Sequence, residues 1–160
     1  MRGTSMSALT ALVVLLAGAS TAGAAVQRSS ETTSFSFAQT NPCNGETGTL
    51  SGTETVRTLV DDTAQHSLYE STALTVETFT PDNPAEPTAS GHAAGHTSFL
   101  DNNAGGAPFS GTDIFTDVST SVFHAPGATL VIHNTAHVTV VNGGTLVVSF
   151  NRPVVMCNGL

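Results

Sequence analysis

Six histidines, at positions 66, 92, 96, 124, 133 and 137, are the residues of this sequence best suited by type to hold a metal ion or move a proton. Two pairs, His92/His96 and His133/His137, are spaced four apart. On a helix that spacing brings both imidazoles to one ion, whereas on a strand rising about 3.3 Å per residue it sets them about 13 Å apart. A neighbouring strand can add a ligand. Pairing Phe123 with Thr129 across Pro126-Gly127 sets Asp117 opposite Thr135, diagonally between His133 and His137. The candidate metal set is therefore His133, His137 and Asp117, weighed against the simpler reading of a polar strand face made of Thr and His. No set completes a coordination sphere from the sequence, so no cofactor is expected.

A second constellation is polar residues on positions patterned as core. Glu54 shares strand parity with Leu50, Val56 and Val60, and Glu70 shares it with Leu68, Leu74 and Val76. Both carboxylates are then expected to point inward. Pairing Val60 with His66 sets Glu70 opposite Val56 and diagonal to Glu54. In the C-terminal hairpin, a three-residue turn at Asn142-Gly143-Gly144 pairs Val140 with Leu146, Val138 with Val148, Ala136 with Phe150 and Ile132 with Val154. That register puts Arg152 opposite Asn134 on the same inner face. Glu54, Glu70, Arg152 and Asn134 form the candidate ligand-binding cluster. Interior charges survive only if paired or solvated, so the cluster reads as an ion pair, a wet barrel end or the polar end of a cavity. No G-x-S-x-G, C-x-x-C or phosphate-cradling glycine loop accompanies it, and no catalytic residue is assigned.

Segments rich in Thr, Val, Phe and Ser must position these residues, and Gly, Pro, Asn and Asp clusters separate them with no room for a long helix. Strands are expected near 32–38, 48–60, 66–79, 89–100, 110–124, 128–141 and 145–156. Several are long and joined by short turns, which suits an all-β antiparallel up-and-down barrel of about seven or eight strands; a β-sandwich is the alternative. The glycines at 48, 52, 91, 95 and 111 fall where such strands bend or bulge.

Composition narrows the partners. Twelve acidic residues stand against four basic ones, all arginine, for a net charge of -8. Neutralising phosphates takes clustered Lys and Arg, so nucleic acid is excluded as a partner and an anionic membrane surface goes with it. The absence of tryptophan and the single tyrosine, Tyr69, weigh against surfaces that work by stacking.

At the N-terminus, Arg2 precedes an apolar run from Ala8 to Ala19 and then small residues, the pattern of a secretory signal peptide over 1–25. The run is too short to span a bilayer, so the mature chain is expected to be secreted, without membrane insertion after cleavage. Residues 26–31 read as a disordered leader and 32–160 as one barrel domain. Cys43 and Cys157 remain in the mature chain. An oxidising compartment favours their pairing, worth about 4 to 5 kcal/mol in the chain-entropy model; two buried free thiols are the alternative.

The run Asn41-Pro42-Cys43-Asn44-Gly45-Glu46, the stretch His137-Val138-Thr139-Val140 with Asn142-Gly143-Gly144, and the closing Cys157-Asn158-Gly159 resemble small secreted actinobacterial β proteins of unknown function. Those carry a "PC.GE" signature, an "HVTV..NG" hairpin and a terminal cysteine. The resemblance runs from about Asn41 to the end. It implies a secreted β-barrel-like domain with its two cysteines close together, and it implies no activity.

Three function classes follow. A non-enzymatic, calycin-like binding barrel would take a small apolar ligand into a roomy interior. A barrel isomerase or cyclase would use an interior carboxylate, Glu54 or Glu70, as its acid or base. A cell-envelope protein would be packed solid. The expectation is a secreted small-ligand-binding or envelope barrel.

Overall fold

The computed structural model describes residues 25–63, 65–102, 111–141 and 145–159. The signal peptide expected over 1–25 lies almost wholly outside them. Seven antiparallel strands follow one another: β1 Ala25–Thr40, β2 Thr47–Asp62, β3 His66–Pro81, β4 Ala89–Asn102, β5 Thr112–Ala125, β6 Ala128–Val141 and β7 Thr145–Asn158. They pair in chain order within one sheet, the up-and-down meander that the even spacing of turn residues foretold. β1 begins earlier than expected, so 26–31 is the first half of a strand and not a leader.

Local chemistry sets each reversal. In the first, the Asn41 side chain accepts the Cys43 N–H at 2.9 Å, and Gly45 takes the left-handed φ of 78° that a side chain resists. In the second, the Thr63 hydroxyl donates to the His66 carbonyl at 2.9 Å and accepts the His66 N–H at 3.0 Å. Beyond β3, the Thr47 hydroxyl donates to Asp82 at 2.6 Å and fastens the proline-rich loop to the start of β2. Pro126 and Gly127, the latter at φ 78°, make a two-residue turn that pairs Ala125 with Ala128.

The sheet rolls so that one face is concave. Phe79 and Phe123, 7% and 8% exposed, lie on it and are the two buried apolar side chains of the described residues. Gly48 and Gly91 make room for them: a Cβ on Gly48 would stand 2.7 Å from the Phe79 ring, and one on Gly91 would stand 2.6 Å from the Phe123 ring. These glycines are seats for aromatic rings more than bends.

The roll does not close into a hydrogen-bonded ring. Every hairpin reverses the chain, so after seven strands β1 and β7 run parallel. No Cα of one lies within 8 Å of a Cα of the other. What ties the two ends together is covalent: Cys43, in the β1–β2 turn, bonds to Cys157, near the end of β7, with Cα atoms 5.9 Å apart and a sequence separation of 114. The fold is one open seven-stranded up-and-down sheet whose ends are joined by a disulfide, compatible with an open barrel or a β-sandwich and not with the closed barrel expected from the sequence.

Candidate functional site

The concave face holds a cavity of about 150 Å3 at the end of the roll where this disulfide sits. Leu50 of β2, Phe79 of β3, Phe123 of β5 and Leu130 and Ile132 of β6 line it, with Gln39 and Pro42 beside the bridge. A carboxyl group stands among them. Glu77 is 6% exposed, and its Oε1 is buried with no hydrogen-bond partner. Its cross-strand neighbours are both glycine, Gly52 on β2 and Gly91 on β4, so neither sets a side chain of its own beside it. Phe35 closes over Gly52 and Phe123 over Gly91.

Burial raises the Glu77 pKa above the ordinary carboxyl value, and the charge of Glu54 raises it further. Glu54 pairs with Thr75, one diagonal step from Glu77 on the same face. The site is a weak acid held in an apolar pocket, with one oxygen free to meet a guest.

A second buried acid lies at the other end of the concave face. Asp113 faces Asp101 directly across β4 and β5, and both are buried. Burial raises the Asp113 pKa, as do the hydrogen bond that its protonated carboxyl donates to Asp101 and the Asp101 charge, while the Asn102 backbone lowers it. A carboxylate opposite another carboxylate in a buried place is costly, so the fold favours the protonated form of Asp113. Among the described residues no group of three or more His, Cys, Asp or Glu is placed to hold a metal ion.

The sequence-based cluster is split by the sheet. Glu54 and Asn134 are on the concave face, with Asn134 opposite Ser119 and Pro153. Glu70 and Arg152 are on the convex face. For Glu70 the reason is the second turn: it pairs Asp62 with Ser67, whose hydroxyl donates to Asp62 at 2.6 Å, and so sets Val60 opposite Tyr69 instead of His66. An odd shift flips every side chain, and Glu70 now faces Leu59. Its parity companions Leu74 and Val76 are outside too, 49% and 69% exposed.

For Arg152 the reason is a β-bulge. Val140 pairs with Leu146 as expected, but Thr139 pairs with Val148, leaving Val147 extra. Beyond it Val138 faces Ser149, Ala136 faces Asn151 and Ile132 faces Val155; Arg152 is opposite Thr135 and lies over the Phe150 ring at 5.3 Å.

The metal set divides the same way. The two-residue turn pairs Phe123 with Leu130, which places Asp117 opposite Ala136 on the concave face and leaves His133 and His137 on the convex one. Asp117 accepts from the Thr97 hydroxyl at 2.7 Å. His133 is bracketed by Thr120 and Thr135 at 2.8 and 3.1 Å, and His137 by Thr116 and Thr139 at 3.0 Å each. These imidazoles are partnered by threonine on both ring nitrogens, the polar strand face that was the simpler reading.

Glu77 was missed because the apolar residues Leu68, Leu74 and Val76 marked the wrong parity of β3. The signal that would have found it is the step from Glu77 to Phe79. Compared with known protein families, with characterised proteins and with solved structures, the chain matches none.

Proposed function

We propose that this is an exported binding protein that takes a small apolar molecule with one hydrogen-bonding group into the concave cavity. The observation that carries this reading is the unpartnered Glu77 oxygen in an apolar pocket. A buried polar atom without a partner costs about 1 to 3 kcal/mol, which a guest offering a hydrogen bond recovers. An apolar cavity of about 150 Å3 admits a benzene-sized guest. The Cys43–Cys157 bridge supports export, because disulfides persist in oxidising compartments. The packed envelope domain fits less well, since it leaves this space unused.

Phenol is a suitable probe, with benzene as its control. Methyl NMR signals of Leu50, Leu130 and Ile132 are expected to shift with phenol at submillimolar to millimolar concentration, and Glu77→Leu is expected to weaken phenol at least fivefold while leaving benzene unchanged. Methyl signals that move with neither compound overturn the reading.

The raised proton affinity of Glu77 favours one further reading, a general acid for an isomerisation or cyclisation of such a guest. A cognate guest recovered chemically unchanged after prolonged incubation rules that out.

A further inference from the structure

On the convex face, independent of the cavity, a groove of about 470 Å3 crosses β1 to β4 with Arg28, Arg57, Leu59, Glu70, Thr72 and His96 on its walls. The register fixes their layout. Arg28 and Glu70 flank Leu59 along one cross-strand row, and Arg57, opposite Thr72, is diagonal to both. His96 follows Thr72 in the same row as Arg57.

Arg28 and Arg57 are two of the four basic residues in a chain of net charge -8. Among the described residues neither guanidinium has a carboxylate oxygen within 4.0 Å. Two guanidiniums one diagonal step apart repel each other, and a carboxylate or sulfate placed between them relieves that repulsion while accepting their N–H donors. Across the groove Glu70 does the opposite. With strands about 4.8 Å apart, its Cα is about 10 Å from that of Arg28, far enough for a sugar ring to lie between. Its carboxylate accepts hydroxyl donors and repels a second anionic group. Thr72 and His96 add hydrogen-bonding side chains, and Leu59 offers an apolar floor to the C–H face of a ring in place of an aromatic platform.

We propose that this groove binds an acidic monosaccharide unit, its single carboxylate or sulfate held between Arg28 and Arg57 and its hydroxyls turned to Glu70, Thr72 and His96. The Glu70 charge limits the ligand to one anionic group, in keeping with a protein too acidic for polyanions.

The test is a titration of the intact, oxidised protein followed by amide NMR with D-glucuronate, glucose 6-sulfate, glucose and acetate at constant ionic strength. The Thr72 and His96 amides are expected to move with both acidic sugars, and the stronger of the two identifies the anionic group. Glucose is expected to bind at least tenfold more weakly. Arg57→Gln and Arg28→Gln, both at exposed positions, are each expected to weaken the acidic sugars at least fivefold with the rest of the spectrum retained. Glu70→Gln is expected to abolish the preference for glucuronate over acetate. Equal shifts from glucose and glucuronate, or wild-type titrations in both arginine variants, overturn the anion site. An unchanged preference in Glu70→Gln overturns its reading of the hydroxyls.

Discussion

Glu77 and Asp113 share one physical condition: each is a carboxyl whose charged form the fold disfavours, chiefly through burial. The folded state therefore holds their protons more tightly than the unfolded chain does. Their contribution to stability is fully present below the ordinary carboxyl value and is lost as pH rises through the raised one. Asp113→Asn removes one ionisable partner and gives Asp101 an amide donor, so the variant is expected to gain about 1 to 3 kcal/mol over wild type at pH 7 and little or nothing at pH 4. Urea unfolding of both proteins at the two pH values measures this. A gain that is equal at the two, or larger at pH 4, contradicts a raised Asp113 pKa. Glu77→Gln is expected to show the same pH dependence while keeping phenol bound, because the amide still offers a hydrogen bond. None of these acids stands out in the sequence. Asp101 and Asp113 are separated by a glycine-rich stretch of sequence, and only the register of β4 against β5 makes them neighbours.

At the scale of the strands, a glycine can mean a seat for a ring or simply a tolerated gap, and two glycines of β4 separate the cases. Gly91 would drive a Cβ into the Phe123 ring, whereas the nearest atom to a Cβ on Gly95 is 3.6 Å away. Gly91→Val is therefore expected to cost about 2 to 3 kcal/mol, the range of overpacking, and to shift the methyl signals of the cavity. Gly95→Val is expected to lie within about 1 kcal/mol of wild type, helped by the strand preference of valine. Equal losses would mean that the ring does not sit over Gly91. The strands themselves were legible: β2 to β7 lie within about two residues of where Thr, Val and Phe runs end at Gly, Pro, Asn and Asp. Register was not. Thr63 bonding to His66, the two-residue Pro126-Gly127 turn and the extra Val147 each shift a pairing by an odd number, and these three shifts moved Glu70, Asp117 and Arg152 to the other face. Apolar parity gave no warning, because Leu74, Val76 and Phe150 lie on the convex side of this thin fold.

For the molecule as a whole, stability has to come from somewhere other than a deep core. No described side chain is less than 2% exposed, every described residue of β7 is exposed, and the two edge strands do not meet. A domain that buries so little depends on a cross-link in the way small secreted domains do. The bridge acts where the hydrogen bonds of the sheet stop, joining the turn after β1 to the end of β7 beside the cavity lining. With its cysteines separated by 114 in sequence, it removes about 4 to 5 kcal/mol of chain entropy from the unfolded state, and measured values for native disulfides run from about 2 to 5. Cys43→Ser/Cys157→Ser is expected to lose an amount in that range. The loss should fall unevenly: β7 amides exchange faster, β2 to β5 amides keep their relative protection, and phenol affinity drops because Pro42 and Leu130 no longer hold their distance across the mouth. Hydrogen exchange and denaturant unfolding of the oxidised protein and the double serine variant decide it. A loss below about 1 kcal/mol with β7 protection unchanged would show that β7 is held by the sheet alone, and that the disulfide only records where two loops happen to meet.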